Sequence, residues 1–558
     1  MATSSWAQDI PGVPVRCGGQ PISDIIVRNE PPAISGISRR SRTLARALLS
    51  MHFTTRPEVI RRLVVIERGQ PCNELRRAES ERILRAQPYL AEASIIAYDD
   101  GNGGVKLEIL TVDELSTIID VGATASTPYV KRLRFGSSNV GGEAMLIEGL
   151  WQNSTGPYRD GYGGRFMDYQ FAGQPYLLSL SGVRRALGYE YTGIASHTFL
   201  TDLQRVAWRT AVGRRAEYMT FLRPDATGPA SYIERRFVDV GGIVRIGEPG
   251  RLSLFGASFT QERDDPENSY VLITGRGIFA DSSTRRRQYK DYRSARLNAL
   301  WGVRNIRFMR VTGFDALAAT QDVRIGFQLG TLFGRSLAVL GSKNDDIFVS
   351  ADIYGGLGTP QTFAALQVQG EGRQSYDDNA WDGILGSGRA AFYQRATPRQ
   401  TLVADAEWSA GWRQRVPFQL TLGDTRGGIR GFSRSQTAGA RRLVTRLEDR
   451  WYIGRFRAVA DLGLSPFFDA GRLWAGDAPF GVDTRINYGA GIALLASVPP
   501  RSKRLYRIEF GYPITKDPHS RWQVRISSSD LTRLFWDEPA DVRRSRESTV
   551  PASIFNWP

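Results

Sequence analysis

Two periodicities divide the chain. After about residue 120, apolar and polar residues alternate in short segments set between polar loops. In "LVADAEWSAGW", Leu402, Ala404, Ala406 and Trp408 alternate with Val403, Asp405, Glu407 and Ser409. In "RLYRIEFGYPI", Leu505, Arg507, Glu509 and Gly511 alternate with Tyr506, Ile508, Phe510 and Tyr512. In "RWQVRISS", Trp522, Val524 and Ile526 share one face, and Gln523, Arg525 and Ser527 the other. A soluble sandwich would alternate too, with lysine as common as arginine on the watered face. Here the polar positions carry arginine together with acids, which suits a lumen laced with ion pairs. The apolar faces end in Trp, Tyr and Phe, as interfacial girdles do. The pattern predicts a mainly β protein: an antiparallel transmembrane β-barrel over residues 121–530. At roughly 25 residues per strand with its share of loops, that length gives on the order of 16 strands.

The first 120 residues follow another rhythm. "PISDIIVRNEPP" reads as a strand stopped by Pro31 and Pro32. "TTRPEVIRRLVVIERGQ" offers Thr55 as a helix cap, Pro57 in the first turn, and Val59, Ile60, Leu63 and Val64 at helical spacing, with Gly69 past the end. "CNELRRAESERILRAQPYL" repeats the device: Asn73 caps, Leu75, Ala78, Ile83 and Leu84 share a broad face, and Pro88 stops the helix. "ASIIAYDDGNGGVKLEILTVDE" is a hairpin around an Asp-Asp-Gly-Asn-Gly-Gly turn. The order strand, helix, helix, strand, strand defines a small α/β module over 21–118. Between its first strand and first helix, "SGISRRSRTLARALLSMHF" reads as a helical insertion. Residues 1–20 form a tail in which "SSWAQD" resembles the end of a secretory signal, and 531–558 form a second tail.

Composition narrows the chemistry. The chain has 558 residues, 73 Lys and Arg against 57 Asp and Glu, and a formal charge of +16. Such a balance fits nucleic acid, anionic lipid or an arginine-lined cavity. No recognisable nucleic-acid module is present, and the closest basic run, "SSTRRRQYKDYRSAR", reads as a loop between strands. No nucleic-acid partner is expected. No window approaches the roughly 18 to 20 apolar residues of a transmembrane helix, which says nothing against a barrel. The three histidines are scattered without metal-ligand spacing, so neither metal nor cofactor is expected. H-E-x-x-H, G-x-S-x-G and the phosphate-loop motif are all missing, so the chain is not expected to be an enzyme. The two cysteines, Cys17 and Cys72, are either unpaired small residues or a disulfide of an oxidising compartment.

One stretch stands out among the strands: "LGDTRGGIRGF", Leu422 to Phe432. A phosphate cradle needs a helix after the glycines. Here "RRLVTRLEDRWYIG" follows instead, with Leu443, Thr445 and Leu447 alternating against Val444, Arg446 and Glu448. A loop entering a narrow lumen has its own reasons for this composition. Glycines permit positive-φ turns and close approach to a wall, and a buried guanidinium needs a carboxylate partner.

The pair "GIRGF" and "FFDAG" is similar to the two signature motifs of the BamA/TamA-like bacterial surface antigen superfamily. The resemblance implies a loop near 409–441 folded inward, with the tip Gly427, Gly428, Ile429, Arg430, Gly431 and Phe432. Its barrel-wall partners would be Glu448, Phe467, Asp469 and Gly471, with Asp469 meeting Arg430. "YGAGIALLASVPP" and "RLYRIEFGYPI" resemble the penultimate hairpin. "NVGGEAMLIEGLW", Asn139 to Trp151, resembles the first barrel strand, and Trp522 to Ser529 would be the last. Members usually close on a terminal aromatic; here that place would fall to Phe535, Trp536 or Trp557 in the tail. "FTTRPEVIRRLVVIERGQP", "ESERILRAQPYLAEASI" and the acidic strand end "VDE" resemble a single POTRA domain. By resemblance, the chain would sit in the bacterial outer membrane among its lipids, with the POTRA domain in the periplasm. It would insert or translocate client polypeptides, captured by strand addition at an edge strand near Ala93 to Asp99. Periplasmic or lipoprotein partners would assemble on the same domain. A passive channel or surface protein is the alternative implied by the same barrel.

Overall fold

The computed structural model describes residues 13–32, 52–124, 127–154, 158–225, 228–281, 289–423, 427–433, 435–457, 459–518, 520–529, 536, 538–546 and 555. The expected helical insertion over 35–53 lies almost wholly outside these residues, as does most of the first tail.

The N-terminal module holds β1 (Pro14–Val15), β2 (Gly18–Glu30), α1 (Pro57–Arg61), β3 (Pro71–Asn73), α2 (Glu74–Arg85), β4 (Leu90–Asp99) and β5 (Val105–Asp113). Its sheet runs β1-β4-β5-β2-β3, with β2 parallel to β5. Ile60, Leu84, Leu90, Ile95, Leu107 and Ile109 are among the buried side chains of its core. The two cysteines are joined, with Cα atoms 4.8 Å apart, so the unpaired reading is corrected. They tie the chain before β2 to β3.

Asn73 caps α2 as expected, accepting from Leu75 N at 2.9 Å and Arg76 N at 3.2 Å. Thr55 does not cap α1. The N-cap is Arg56, and the Thr55 hydroxyl instead donates to Asp113 Oδ1 at 2.7 Å. The helix stops at Arg61, although Leu63 beyond it is buried. The face expected for α2 holds in its second half, where Ile83 and Leu84 are buried in the core, and is corrected in its first, where Leu75 and Ala78 are exposed. Glu81, Arg82 and Arg85 are buried as well, because this side of the helix rests on the second unit. The acidic run "VDE" does two jobs. Asp113 fixes the segment before α1, and Glu114 accepts from Ser502 Oγ (2.7 and 2.9 Å) and Lys503 N (2.9 Å).

The second unit is one large antiparallel sheet whose strand order is cyclic, Gln523–Ser529 lying beside Thr117–Thr124. Among the described residues this order has 21 strands, of which Gly277–Ala280 pairs only with one end of Arg251–Thr274, leaving 20 staves. The expected 16 is therefore corrected. Six staves of 8 to 11 residues occupy 117–197 alone, so roughly 25 residues per strand is too large here. The sheet also begins earlier than expected, with Thr117–Thr124 and Thr127–Ser137 ahead of Met145–Gln152. Asn139 to Ala144, expected in the first strand, form a turn instead. The basic run expected as a loop ends inside a stave that opens at Tyr292, while 282–288 lie outside the described residues.

Alternation sorts the two faces as the sequence predicts. Along Tyr292–Thr312, Leu297 and Trp301 face outward and are exposed, while Arg296, Asn298, Leu300 and Arg304 face inward and are buried. Along Gln400–Trp412, Leu402 faces out, and Val403, Glu407 and Ser409 face in. Much of the excess arginine is spent inside. Arg373 reaches Glu262 at 3.3 Å and lies over the rings of Tyr292 (4.3 Å) and Phe348 (5.3 Å). No helix among the described residues is long and apolar enough to cross a membrane, which says nothing of a barrel.

The module sits across one end of the sheet, here the near end. Arg85 forms a two-pronged pair with Asp322 (2.8 and 2.9 Å), Asn139 Nδ2 donates to Thr55 Oγ1 at 2.8 Å, and Gln170 Nε2 donates to Val59 O at 2.7 Å. With Ser502 and Lys503, these contacts reach well-separated near-end turns.

Candidate functional site

The stave Gln400–Trp412 ends at the far rim, and Arg441–Phe456 starts there. The segment between them turns back inside. Leu420–Thr421 pairs with Ala438–Gly439 at its base; Gly428 N donates to Gly423 O and Ile429 N to Leu422 O, each at 3.0 Å. Ile429 and Phe432 are fully buried with Phe418, Leu420, Leu422, Val444 and Leu473. These apolar contacts press the tip against the wall and leave Arg430 facing the lumen's carboxylates. Residues 424–426 of the glycine-rich stretch lie outside the described residues.

Arg430 is 6% exposed and uses its backbone and all three guanidinium nitrogens. Its N donates to Asp469 Oδ2 at 3.0 Å, Nε to the same oxygen at 2.8 Å, and Nη2 to Oδ1 at 2.5 Å. Nη1 donates to Glu448 Oε1 at 2.6 Å and Glu509 Oε1 at 3.4 Å. The guanidinium carbon stands 3.5 Å from the centre of the Phe467 ring. Asp469 is itself fully buried, five positions in from the far-end residue Trp474 of its stave. A carboxylate at that depth needs a fixed cation, and a planar fork satisfies both of its oxygens.

The fit depends on missing side chains. Gly431 has φ +96°, and a Cβ there would stand 2.8 Å from Pro513 N. On the wall, a Cβ on Gly471 would come 2.9 Å from Ile429 Cγ2, and one on Gly489 would collide with Arg430 O. Gly427 also has positive φ, and its carbonyl and that of Gly428 accept from Arg446 Nη2 at 3.1 and 3.0 Å.

The structure thus brings together all ten residues named from the sequence, and adds others. Glu448 also accepts from Arg450 Nε and Arg507 Nη2, each at 2.9 Å, and Glu509 accepts from Arg507 Nε at 3.2 Å. Arg446 meets Asp405 and Glu407, each at 3.2 Å. Glu509 and Arg507 lie on the polar side of "RLYRIEFGYPI", so the alternation carried a signal for them. Arg446 and Arg450 likewise flank Glu448 at two-residue spacing.

The C-terminal tail supplies a feature the sequence left unassigned. Helix α3 (Ala540–Ser545) lies inside the sheet beside the folded-in loop. Arg442 forks onto Asp541 at 2.6 and 3.1 Å, and Arg546 reaches Glu371 at 3.0 Å and pairs with Glu538. Val542 joins the apolar cluster around Ile429. Of the aromatics named for chain closure, Phe535 and Trp557 lie outside the described residues. Phe555 instead is buried among Leu254, Leu300 and Leu332, against Gly302 and Gly330.

Among the described residues, no group of three or more His, Cys, Asp or Glu could hold a metal ion. What this arrangement can do is hold two segments inside a sheet by paired charges. No family model matches the chain, and no curated protein does. Similar solved structures include BamA from Haemophilus ducreyi lacking POTRA domains 1-3 (13% identity, 91% of this chain and 84% of that chain, TM-score 0.39). CdiB from Escherichia coli is 12% identical over 94% of this chain and 92% of that chain, with TM-score 0.42. The FrpB iron transporter from Neisseria meningitidis is 9% identical over 76% and 84%, with TM-score 0.36.

Proposed function

We propose that this chain is a bacterial outer-membrane β-barrel with a single POTRA-like module in the periplasm. Its role is insertion or translocation of polypeptide clients, without catalysis or cofactor. The observation that carries the reading is Arg430. A loop from the far rim enters the sheet and is locked there by Asp469, Glu448 and Glu509. The outward faces of the same staves expose Leu443, Leu447 and Phe468. Apolar outside and charged inside is the arrangement a lipid bilayer requires of spanning strands.

In this reading the module meets the client first. The expected capture edge, Ala93 to Asp99, belongs to β4, and its far half is taken: Pro14 and Val15 pair with Tyr98 and Ala97. Strand addition then uses Leu90 to Ile96, or displaces β1. Lipoprotein or periplasmic partners would assemble on the module's remaining surface. The loop and α3 occupy the lumen and the module spans the near end, which favours a gated machine over a passive channel.

The test uses the full chain in phospholipid vesicles with a photo-cross-linker at Ser94. Capture of an unfolded barrel-strand peptide, lost when β4 is blocked, is the expected result. A chain that inserts and conducts steadily yet captures nothing is the passive channel.

A further inference from the structure

Outside the lumen, one row of the outer wall is set apart. Tyr191, Arg214, Arg236, Arg263 and Arg293 are direct cross-strand partners on consecutive staves, so they share one face at one level. Their neighbours one position along point inward: Glu262 and Ser294 are buried. The arginine side chains are 47 to 51% exposed at 214, 236 and 263.

Two residues nearer the module the outward row is Gly193, Val212, Val238, Gln261 and Ala295, and the next holds Val240, Phe259 and Leu297. From Arg263 to Ser253 the stave descends ten residues. At about 3.3 Å each and a tilt of about 40°, that is roughly 25 Å, the height of an apolar band. The arginines therefore mark the far margin of that band.

The wall is also hollow here. A concavity of about 1060 Å3 lies along the arginine row, lined by Phe166, Leu180, Val212 and Val238, with Gly182 and Gly193 opening its floor. Side chains at these glycines would project into it, a Cβ on Gly182 standing 3.0 Å from the Tyr191 ring and one on Gly193 3.5 Å from Leu180 and Val212.

The arginines are only partly neutralised. Glu234 accepts from Nε of both Arg214 and Arg236 at 2.6 Å, and Asp265 from Nε of Arg263 at 2.7 Å. Both acids lie one row further from the apolar band, and Asp291 adds a third carboxylate near Arg263. Among the described residues, the Nη groups of these three arginines have no hydrogen-bond partner, and neither does the Arg293 side chain. Four guanidinium groups facing three carboxylates leave an excess cation whose forks match phosphate oxygens.

We propose that this groove binds an anionic, phosphate-bearing lipid of the far leaflet, its headgroup on Arg214, Arg236 and Arg263 and its acyl chains over Gly182 and Gly193. The inference rests on the reading of the sheet as a membrane-spanning barrel. Apolar lining and cationic rim together commit the site to a lipid: a soluble anion would use the rim alone.

The test is native mass spectrometry of the detergent-solubilised full chain with phosphatidic acid and phosphatidylcholine, alongside insertion into vesicles of the same lipids. Wild type should retain phosphatidic acid over phosphatidylcholine. The triple variant Arg214→Ala, Arg236→Ala, Arg263→Ala should lose that retention by about tenfold or more, several charge-assisted bonds being removed. Gly193→Phe, which fills the groove and keeps the rim, should lose it too. Heat-modifiable gel migration checks that each variant is folded. Equal retention of both lipids by an inserted wild type overturns this inference and leaves the barrel reading intact. Competition by inorganic phosphate, with Gly193→Phe unaffected, also overturns it, leaving an anion site. Failure to insert overturns both.

Discussion

Arg430 and Asp469 meet through three hydrogen bonds, one from the backbone and two from the guanidinium, across 39 residues of sequence. A tip residue of a loop and a fully buried wall residue are thereby fixed in one orientation. Glu448 and Glu509 take the remaining guanidinium nitrogen.

Arg430→Ala should release the loop rather than unfold the sheet. It leaves Asp469 buried without its cation, a loss of about 3–5 kcal/mol where one partner of a buried pair is removed. Arg430→Lys keeps the charge without the fork and should fall between the two. Limited proteolysis within 413–437 reads this directly: cleavage should be rapid in Arg430→Ala and slow in wild type.

Shape should matter as much as charge. Gly431→Ala asks an L-residue to hold φ +96° with its Cβ 2.8 Å from Pro513 N and 2.9 Å from Tyr512 C, both backbone atoms that cannot swing aside. Gly489→Ala strikes Arg430 O from the wall side. Both variants keep every charge. The expectation is loop release comparable to Arg430→Ala, measured by the same cleavage.

The C-terminal segment should act as a second occupant of the lumen. Truncation after Ser529 removes α3, freeing Arg442 and Glu371 of Asp541 and Arg546. Access of a thiol reagent to a cysteine at Ser387, which now bonds Glu538 and Arg546, should rise at least severalfold. Unchanged labelling would place the tail elsewhere.

The module's seat is held by a few identifiable pairs. Glu114→Ala removes the carboxylate that ties Ser502 and Lys503, and Asp322→Ala removes the partner of Arg85. Each leaves a polar group unsatisfied at a buried contact, roughly 1–3 kcal/mol apiece. A cross-link between cysteines at Thr55 and Asn139 should form efficiently in wild type and weaken in the double variant.

Much of this was legible in the sequence, and the exceptions share a cause. Period-2 alternation exposed the faces of Gln400–Trp412, because which way each side chain points is a local property of a strand. The Asn73 cap was legible for the same reason: donor and acceptor are three residues apart. Thr55 looked like the same device, yet its hydroxyl is claimed by Asp113, 58 residues away. The stave number failed because loop length, unlike strand direction, leaves no periodic mark. At the site, Arg430 and Asp469 were found through their motifs. Glu509 lies on the polar face that alternation gives, but nothing local shows which carboxylate a distant loop will reach. The tail was opaque because the partners of α3 and of Arg546 just beyond it are spread over staves from Arg235 to Arg442.

The most direct measurement is planar-bilayer conductance of the refolded chain, wild type against Arg430→Ala and Asp469→Ala. Wild-type currents should be small and flickering, with a similar change in both variants, because each breaks the same pin. A steady, wide pore indifferent to either substitution would contradict this.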